Sequence, residues 1–342
     1  MASGIGNWLD KQLETATYAT GDPTFDGEWL FGTYQMAILG LVQAAEEHPE
    51  LRAEALRRID RAEELLLSKT VRHFDHQEWK EDALDSLDGM DGHAGYLGYL
   101  NLALGMHRKL EPNFKHRQLH DRISEALARR LDASPIGLLE TYPSQTYPVD
   151  NCAVAASLRL KDRVEGTNRF AATYERWIAR VRKSYVDPRT GLVFQSVGAR
   201  DGAPMAPPRA SGSLLGAYFL GLAEEPLAKE LFVAARRELW APFAGFGAIQ
   251  EYPSGIPAGR GDIDSGPLIF GRSISASGFM MACARQHGDE ATFSQIYRSV
   301  HLVGVPTRRG DVLGFATGGP LGDSMMLALL TAQPIRTGKE KP

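Results

Sequence analysis

Cysteine is scarce in this 342-residue sequence, which contains only Cys152 and Cys283. Two cysteines are too few for a disulfide framework or a zinc-ribbon site. We therefore expect two buried free thiols, although a single disulfide between them is also compatible with the sequence.

Long apolar runs and an excess of basic residues are also missing. No run approaches the roughly 18 apolar residues that a membrane helix needs, so no membrane span is expected. The first residues, MASGIGNWLDKQ, lack the basic and apolar regions of a signal peptide. A cytoplasmic location is the default expectation, and a periplasmic one would apply if a signal peptide had been removed.

The net charge of −4 argues against a nucleic-acid partner. We expect a small-molecule substrate, and the sequence leaves a homo-oligomer open.

Several motifs of cofactor and metal chemistry are absent. The G-x-S-x-G, Walker and dinucleotide patterns do not occur. The acids of Asp262-Ile-Asp264 are spaced as in a calcium loop, but the glutamate that such a loop requires does not follow. His73 and His76 have the spacing of metal ligands without a partner cluster. We expect no metal and no cofactor.

Apolar segments rich in small residues recur along the chain, each after a polar or glycine-rich lead-in. Their first residues are separated by 65, 57, 59, 63 and 48 residues, which indicates an internal repeat. The six segments are GEWLFGTYQMAILGL from Gly27, GHAGYLGYLNLALGM from Gly92, VDNCAVAASLRL from Val149, PRASGSLLGAYFLGL from Pro208, GRSISASGFMMACA from Gly271 and GPLGDSMMLALL from Gly319.

Charge-rich segments alternate with these and show one apolar face at helical spacing. Five of them start at Pro49, Lys115, Asn168, Pro226 and Asp289, and the N-terminal IGNWLDKQLETA supplies a sixth. Buried helices without a polar face, each followed by a half-exposed one, are typical of an (α/α)6 toroid. We predict an all-α fold in which residues 1–342 form a single (α/α)6 barrel domain.

In such a toroid, the loops that lead into the inner helices open onto one central cavity. The polar and aromatic residues of these loops, and of the first turns of the inner helices, are therefore the candidates for a functional site. They are Asp22, Asp26, Glu28 and Trp29 for the first inner helix; Asp88, Asp91, His93, Tyr96 and Tyr99 for the second; Tyr142, Tyr147, Asp150, Asn151 and Cys152 for the third; Arg209, Ser211 and Ser213 for the fourth; Glu251, Tyr252, Arg260, Asp262, Asp264 and Arg272 for the fifth; and Asp323, with Asp311 upstream, for the sixth.

Each of these residues also has a purely structural interpretation. Asp150 and Asp323 could cap their helices, and His93 could be a satisfied loop histidine. Arg260 and Arg272 could simply pair with the acids at 262 and 264. Taken together, however, the acids, tyrosines and histidine favour acid–base chemistry, because two carboxyl groups in a dry cavity can have their pKa values pushed apart. We select Asp91, His93, Tyr99, Asp150 and Cys152 as candidate catalytic residues.

The chain resembles the linalool dehydratase/isomerase family in the order and composition of its segments across residues 7–332. The pieces that carry the resemblance are NWLD at 7–10, GYLNLALGM at 98–106, VDNCAVAASL at 149–158, VDPRTGLVFQS at 186–196 and ASGFMMACARQHGDEATFSQ at 276–295. The resemblance implies an (α/α)6 barrel that dehydrates and isomerises small terpenoid alcohols without a cofactor.

The same resemblance implies site residues. It makes Asp10 a further candidate acid/base with Tyr18 as its neighbour. Tyr99 stands where the family has its active-site histidine, and the two family cysteines fall near 140–142 and at Asn151, one position from Cys152. With the loop residues above, the expected substrate contacts are Tyr18, Trp29, Tyr142, Tyr147, Asn151, Arg209, Tyr252, Asp262, Asp264 and Arg272.

Three functions remain open at this point. A lyase or isomerase of the linalool dehydratase type predicts an apolar cavity that excludes water. A carbohydrate-active hydrolase or epimerase, with its acids drawn from Asp91, Asp150, Asp262 and Asp264, predicts an open acidic groove lined by aromatic rings. A non-catalytic ligand-binding toroid predicts polar residues that are paired among themselves and have ordinary pKa values.

Overall fold

The computed structural model describes residues 1–11, 13–257, 259, 261–262, 264–310 and 312–335. Within these residues the α-helices are α1 (Ala2–Asp10), α2 (Pro23–Glu47), α3 (Arg52–Leu66), α4 (His73–Trp79), α5 (Tyr99–Leu110), α6 (Arg117–Ala133), α7 (Pro148–Glu165), α8 (Ala171–Arg180), α9 (Ala210–Leu222), α10 (Pro226–Leu239), α11 (Ile274–Gln286), α12 (Glu290–Gly304) and α13 (Gly319–Leu330). Arg260 and Asp311, two of the polar residues considered above, lie outside the described residues.

Short antiparallel strands lie between the helices. They are β1 (Phe194–Val197), β2 (Pro204–Pro208), β3 (Ile249–Gln250), β4 (Leu268–Ile269), β5 (Arg272–Ser273), β6 (Pro306–Arg309) and β7 (Val312–Phe315). β1 pairs with β2, β5 lies between β3 and β4, and β6 pairs with β7. Each sheet decorates a connection between helices, and none adds a layer to the fold.

The six small-residue segments form the inner helices α2, α5, α7, α9, α11 and α13. Each inner helix packs on the next one along the chain, and α13 packs on both α11 and α2, so the ring is closed. Helix starts follow from local capping: Asp22 accepts a hydrogen bond from the backbone N–H of Thr24 at the start of α2, and Ser273 does the same for Ala276 at α11. The predicted (α/α)6 toroid is confirmed.

The charge-rich segments form the outer layer. α3, α6, α8, α10 and α12 each pack on the inner helix that precedes them, and α1 packs on α13. The N-terminal segment is therefore the sixth outer partner, as predicted. Trp8 Nε1 donates to Asp323 Oδ2 at 3.1 Å, and Asp323 Oδ1 accepts from the backbone of Phe315 at 2.9 Å. Asp323 thus ties α1 and β7 to α13 and does not cap its helix. In the described part of the chain, no helix is both long and apolar enough to cross a membrane.

Small residues allow the inner helices to approach one another closely. A Cβ atom at Gly98, directly before α5, would lie 2.6 Å from the Val154 side chain of α7. A Cβ atom at Gly40 of α2 would lie 2.7 Å from the backbone nitrogen of Ala328 on α13. Neither neighbour leaves room for a methyl group, which explains the composition of these segments.

The closure of the ring predicts a stability difference between two glycines of the same helix. Gly40→Ala should lower the free energy of unfolding by about 1–3 kcal/mol, because the new methyl group overlaps the α13 backbone. Gly32→Ala is the matched control, since its Cβ would meet only the end of the Leu321 side chain at 3.5 Å. That variant should be neutral or gain about 0.5–1 kcal/mol from helix propensity. Urea unfolding followed by circular dichroism measures both, and equal effects would contradict this description of the packing.

Candidate active site

A cavity of about 1090 Å³ lies at the centre of the ring, where the inner helices begin. All six of these helices contribute to its wall. Their contributions include Glu28, Tyr99, Asp150, Ser211, Ser275 and Leu321. The cavity is therefore shared among all the repeats, as expected for the entry loops of a toroid.

Most of the cavity wall is apolar. Rings and aliphatic side chains from α2, α4, α11 and α13 cover it, among them Phe31, Met36, Phe74, Phe279, Leu321 and Met325. An apolar wall of this kind favours contact with apolar groups over contact with water. The polar groups are concentrated on the side where α2, α5, α7 and α9 begin.

Asp150 lies in the first turn of α7 and points its carboxyl group at the cavity. Tyr99 donates its hydroxyl to Oδ1 at 2.8 Å, and Thr141 donates to Oδ2 at 2.5 Å. No side chain caps the start of α7, so Asp150 is not a cap. Burial raises the pKa of Asp150 to about 6, against the two hydrogen bonds, which lower it. A carboxylate near neutrality that is held by two donors is suited to accept a proton.

Glu28 is the second carboxyl group of the cavity and lies one turn into α2. The Tyr142 hydroxyl donates to its Oε1. Burial raises the pKa of Glu28 to about 8, although this hydrogen bond lowers it, and the charges of Asp264, Asp150 and Asp22 raise it further. Glu28 is therefore largely protonated at neutral pH and can donate a proton.

Burial also raises the pKa values of Tyr99 and Tyr142, and the neighbouring carboxyl groups raise them further. Both hydroxyls therefore keep their protons and act as hydrogen-bond donors. The cavity holds two tyrosine–carboxyl pairs with different proton affinities, which is the arrangement that acid–base catalysis requires.

Arg209 organises a charged group on the same wall. Its guanidinium contacts Asp262 and binds Asp264 Oδ2 at 2.6 Å, and its Nε lies 3.7 Å from Glu251. Although burial alone would raise the pKa of Asp262, the hydrogen bond and charge of Arg209 lower it. The buried Glu251 accepts from Ser211 at 2.5 Å. Burial nevertheless raises the pKa values of Asp264 and Glu251, although Arg209 lowers both, so only Asp262 has a lowered pKa in this group.

Other predicted contacts also reach the cavity. Trp29, Tyr147 and Tyr252 line it. Tyr18 lies behind Trp29, with its ring edge-on at 6.1 Å and its hydroxyl bonded to Thr33 at 2.6 Å. Tyr18 supports the wall from outside.

Two of the predicted acids do not join this group. Asp10 is an exposed residue at the last position of the outer helix α1, and it is not part of the cavity wall. Asp91 is exposed in the loop before α5 and is also absent from the wall. Asp91 was selected from its position before an inner helix and Asp10 from the family resemblance, but neither side chain faces the cavity.

His93 lies behind the site. It is fully buried, its Nδ1 is 2.6 Å from Asp75 Oδ2, and its ring stacks on Trp79 at 4.5 Å. Trp79 in turn donates to the backbone carbonyl of Thr141 at 3.2 Å. His93 therefore positions the loop that holds Thr141 and does not line the cavity.

Three further candidates, namely Cys152, Asn151 and Arg272, do not line the cavity and make packing or hydrogen-bond contacts elsewhere. Cys152 is fully buried and free, it lies against Gly216 of α9, and burial raises the pKa of its thiol. Asn151 accepts from the backbone N–H of Leu139 at 2.7 Å and donates to its carbonyl at 3.0 Å, which pins the preceding loop to α7. Arg272 donates to backbone carbonyls at 241 and 270, so Arg209 and not Arg272 is the partner of the two loop acids.

Sequence reasoning did not select Glu28 or Thr141 as members of the site. Glu28 was visible as an acid at the head of the first inner helix, but its partner Tyr142 is 114 residues away. Thr141 had no signal of its own, since a threonine before a tyrosine is ordinary. Only the fold brings these groups to Asp150.

Comparison with known families identifies one matching model. A family model described as linalool dehydratase/isomerase matches residues 98–313, well over half of the chain.

Several solved structures share this fold, and their descriptions mention carbohydrates. The GH76A α-1,6-mannanase from Salegentibacter sp. HEL1_6 has a TM-score of 0.56 at 11% identity, covering 89% of this chain and 88% of that one. An unsaturated glucuronyl hydrolase specific for heparin has a TM-score of 0.56 at 12% identity, covering 91% and 86%. Dfg5 from Chaetomium thermophilum in complex with glucosamine has a TM-score of 0.57 at 15% identity, covering 99% and 92%. At these identities the likeness shows the toroid fold alone.

The raised pKa of Glu28 predicts a pH-dependent stability. The folded protein keeps this proton up to about pH 8, whereas the unfolded chain loses it near the ordinary value of 4.5. Wild-type stability should therefore fall as the pH rises through this window. Glu28→Gln lacks the loss and should gain about 1–3 kcal/mol relative to wild type between about pH 5 and pH 9. Urea unfolding across this range measures it.

Glu290→Gln, at an exposed position on α12, controls for the general loss of one negative charge. If the difference in unfolding free energy between Glu28→Gln and wild type does not change with pH, the pKa of Glu28 is not raised in the folded protein.

Proposed function

The chain belongs to the linalool dehydratase/isomerase family, and on that premise we propose that it is a lyase or isomerase acting on a small terpenoid-like alcohol in the central cavity. Loss of water from an alcohol involves no net oxidation or reduction. A positioned acid and a positioned base are enough for it, so the proposal includes no cofactor.

One observation carries the proposal. Glu28, protonated below about pH 8, and Asp150, ionised above about pH 6, face the same apolar cavity. A hydrolase of polar sugars has little use for such an apolar wall, and a non-catalytic toroid has no need for two displaced pKa values. Both features suit an acid–base reaction on a mainly hydrocarbon substrate.

The proposed reaction begins with the hydroxyl group of the substrate near Glu28. Glu28 gives its proton to the substrate oxygen, the C–O bond breaks, and water leaves. Asp150 takes a proton from the neighbouring carbon, and the electrons of that C–H bond form the alkene. The products are one alkene and one water molecule, and the proton on Asp150 must return to Glu28 before the next turnover.

The neighbouring groups tune this transfer. Tyr142 holds the Glu28 carboxyl group through Oε1, which leaves Oε2 free to carry the acidic proton. Tyr99 and Thr141 hold the two oxygens of Asp150 and orient them towards the cavity. Where the substrate is an allylic alcohol, cleavage of the C–O bond leaves an allylic cation. Isomerisation follows when the departed water adds to a different carbon of that cation and returns its extra proton to the Glu28 carboxylate. The apolar wall protects that cation from other water molecules.

The departures from the family fit this carboxyl-based route. The resemblance places Tyr99 at the position of the family histidine, and the Tyr99 hydroxyl donates a hydrogen bond to Asp150. Cys152 is packed between α7 and α9, and its thiol is held protonated by burial. The proposal therefore assigns no covalent step to cysteine.

The carbohydrate-active alternative rests on the acids and rings at the cavity wall, namely Asp262, Asp264, Trp29 and Tyr252. Arg209 pairs with both of these acids. It lowers the pKa of Asp262, which removes Asp262 as a general acid at neutral pH, whereas burial raises the pKa of Asp264. This alternative is tested in the same experiment with a short oligosaccharide as substrate.

Activity on small terpenoid alcohols, measured as alkene release by gas chromatography, should have a bell-shaped pH profile. The rate rises as Asp150 ionises around pH 6 and falls as Glu28 loses its proton around pH 8. Asp150→Asn and Glu28→Gln should each lower kcat by about 10²–10⁴-fold. Sugar release from the oligosaccharide without any alkene would sink the proposal.

The Asp10→Asn variant tests whether the catalytic acids are those that line the cavity or include Asp10, as the family resemblance implies. Because Asp10 is exposed on the outer layer, this variant should retain wild-type kcat. A loss comparable to that of Asp150→Asn would restore Asp10 to the site.

A further inference from the structure

A second group of ionisable side chains lies away from the cavity, at the other end of the inner ring. Asp60 and Glu63 are three residues apart on α3 and therefore share a face of that helix. His107 lies in the last turn of α5, opposite the end that opens on the cavity. One ligand atom from each residue lies within 4.8 Å of the others.

Burial in this group is uneven. Glu63 and His107 are 0% and 1% exposed, and His107 Nδ1 lies 2.7 Å from Glu63 Oε1. Asp60 is exposed. The group is therefore a buried pair with one acid at its solvent-facing edge, through which an ion could enter.

The second oxygen of Glu63 gives an independent indication of a ligand. Oε2 is buried and has no hydrogen-bond partner within the described part of the chain. The other oxygen of this carboxyl group, Oε1, lies 2.7 Å from His107 Nδ1, so the unpaired Oε2 belongs to the same buried group. Burying a carboxylate without full pairing is costly, and a cation at this point would remove the cost.

We propose that Asp60, Glu63 and His107 bind a divalent transition-metal ion of the Zn²⁺ class. One imidazole nitrogen and two carboxylate oxygens form a ligand set that such ions accept, and two carboxylates balance the charge of a divalent cation. Zinc ligands 2.0–2.2 Å from the metal lie about 3.3 Å apart, so the three groups need only small side-chain movements. Water would complete the coordination on the exposed side.

The ion would tie the outer helix α3 to the inner helix α5. Its binding energy would stabilise the folded chain, because the three ligands come together only after folding. The site is at the end of α5 away from Tyr99, so it is separate from the proposed dehydration chemistry.

Calorimetric titration of the full chain with zinc chloride, after removal of metals with a chelator, tests the site. We expect one zinc per chain with a Kd below about 10 µM and a zinc-dependent rise in Tm. Co²⁺ in place of Zn²⁺ should give the visible d–d absorption of a low-symmetry site. The absence of saturable binding by either metal would overturn the proposal.

Asp60→Asn is the decisive variant, because this side chain is exposed and its loss should leave the fold intact. It should weaken zinc binding about tenfold or more. Glu64→Gln, four residues further along the same helix, is the matched control and should bind zinc as wild type does. Equal affinity in Asp60→Asn and wild type would mean that zinc binds elsewhere on the surface, which contradicts the assignment.

Discussion

The close approach of α13 to α2 is the contact on which the rest of the structure depends. It converts a row of helical hairpins into a ring, and only a ring brings the starts of six inner helices around one cavity. Gly40 makes this approach possible, because any side chain at that position would meet the backbone of Ala328. α1 then covers α13 from outside, held in part by Trp8 and Asp323. The first and last segments of the chain thus close the fold together.

Desolvation sets the proton affinities of the carboxyl groups in this cavity. The apolar wall and the packed helices remove Glu28 and Asp150 from water, and both pKa values rise for that reason first. The two rise by different amounts because their partners differ. Asp150 accepts from two hydroxyl groups and Glu28 from one, while neighbouring acids push Glu28 higher. The same apolar environment therefore separates the pKa values of the two carboxyl groups.

Composition and periodicity predicted the fold well because burial and close helix packing determine which residue types occur and at what spacing. Segments without a polar face had to be inner helices, and the N-terminal segment was correctly paired as the sixth outer helix. The site was less accessible. The sequence pointed to the loops at the heads of the inner helices, and Tyr99, Asp150 and Arg209 do face the cavity. It could not tell that Asp91 turns outward or that His93 is packed behind the wall. Glu28 meets Tyr142, and Glu63 meets His107, only through tertiary contacts that no local pattern encodes.

The central claim is that one cavity holds a neutral Glu28 beside an ionised Asp150 at neutral pH. The most direct measurement is a pH titration by NMR of the chain labelled with ¹³C at side-chain carboxyl carbons, with Glu28→Gln and Asp150→Asn used to assign the two signals. The account predicts midpoints near pH 8 for Glu28 and near pH 6 for Asp150. Titration of both groups below about pH 5, in the ordinary carboxyl range, would contradict it.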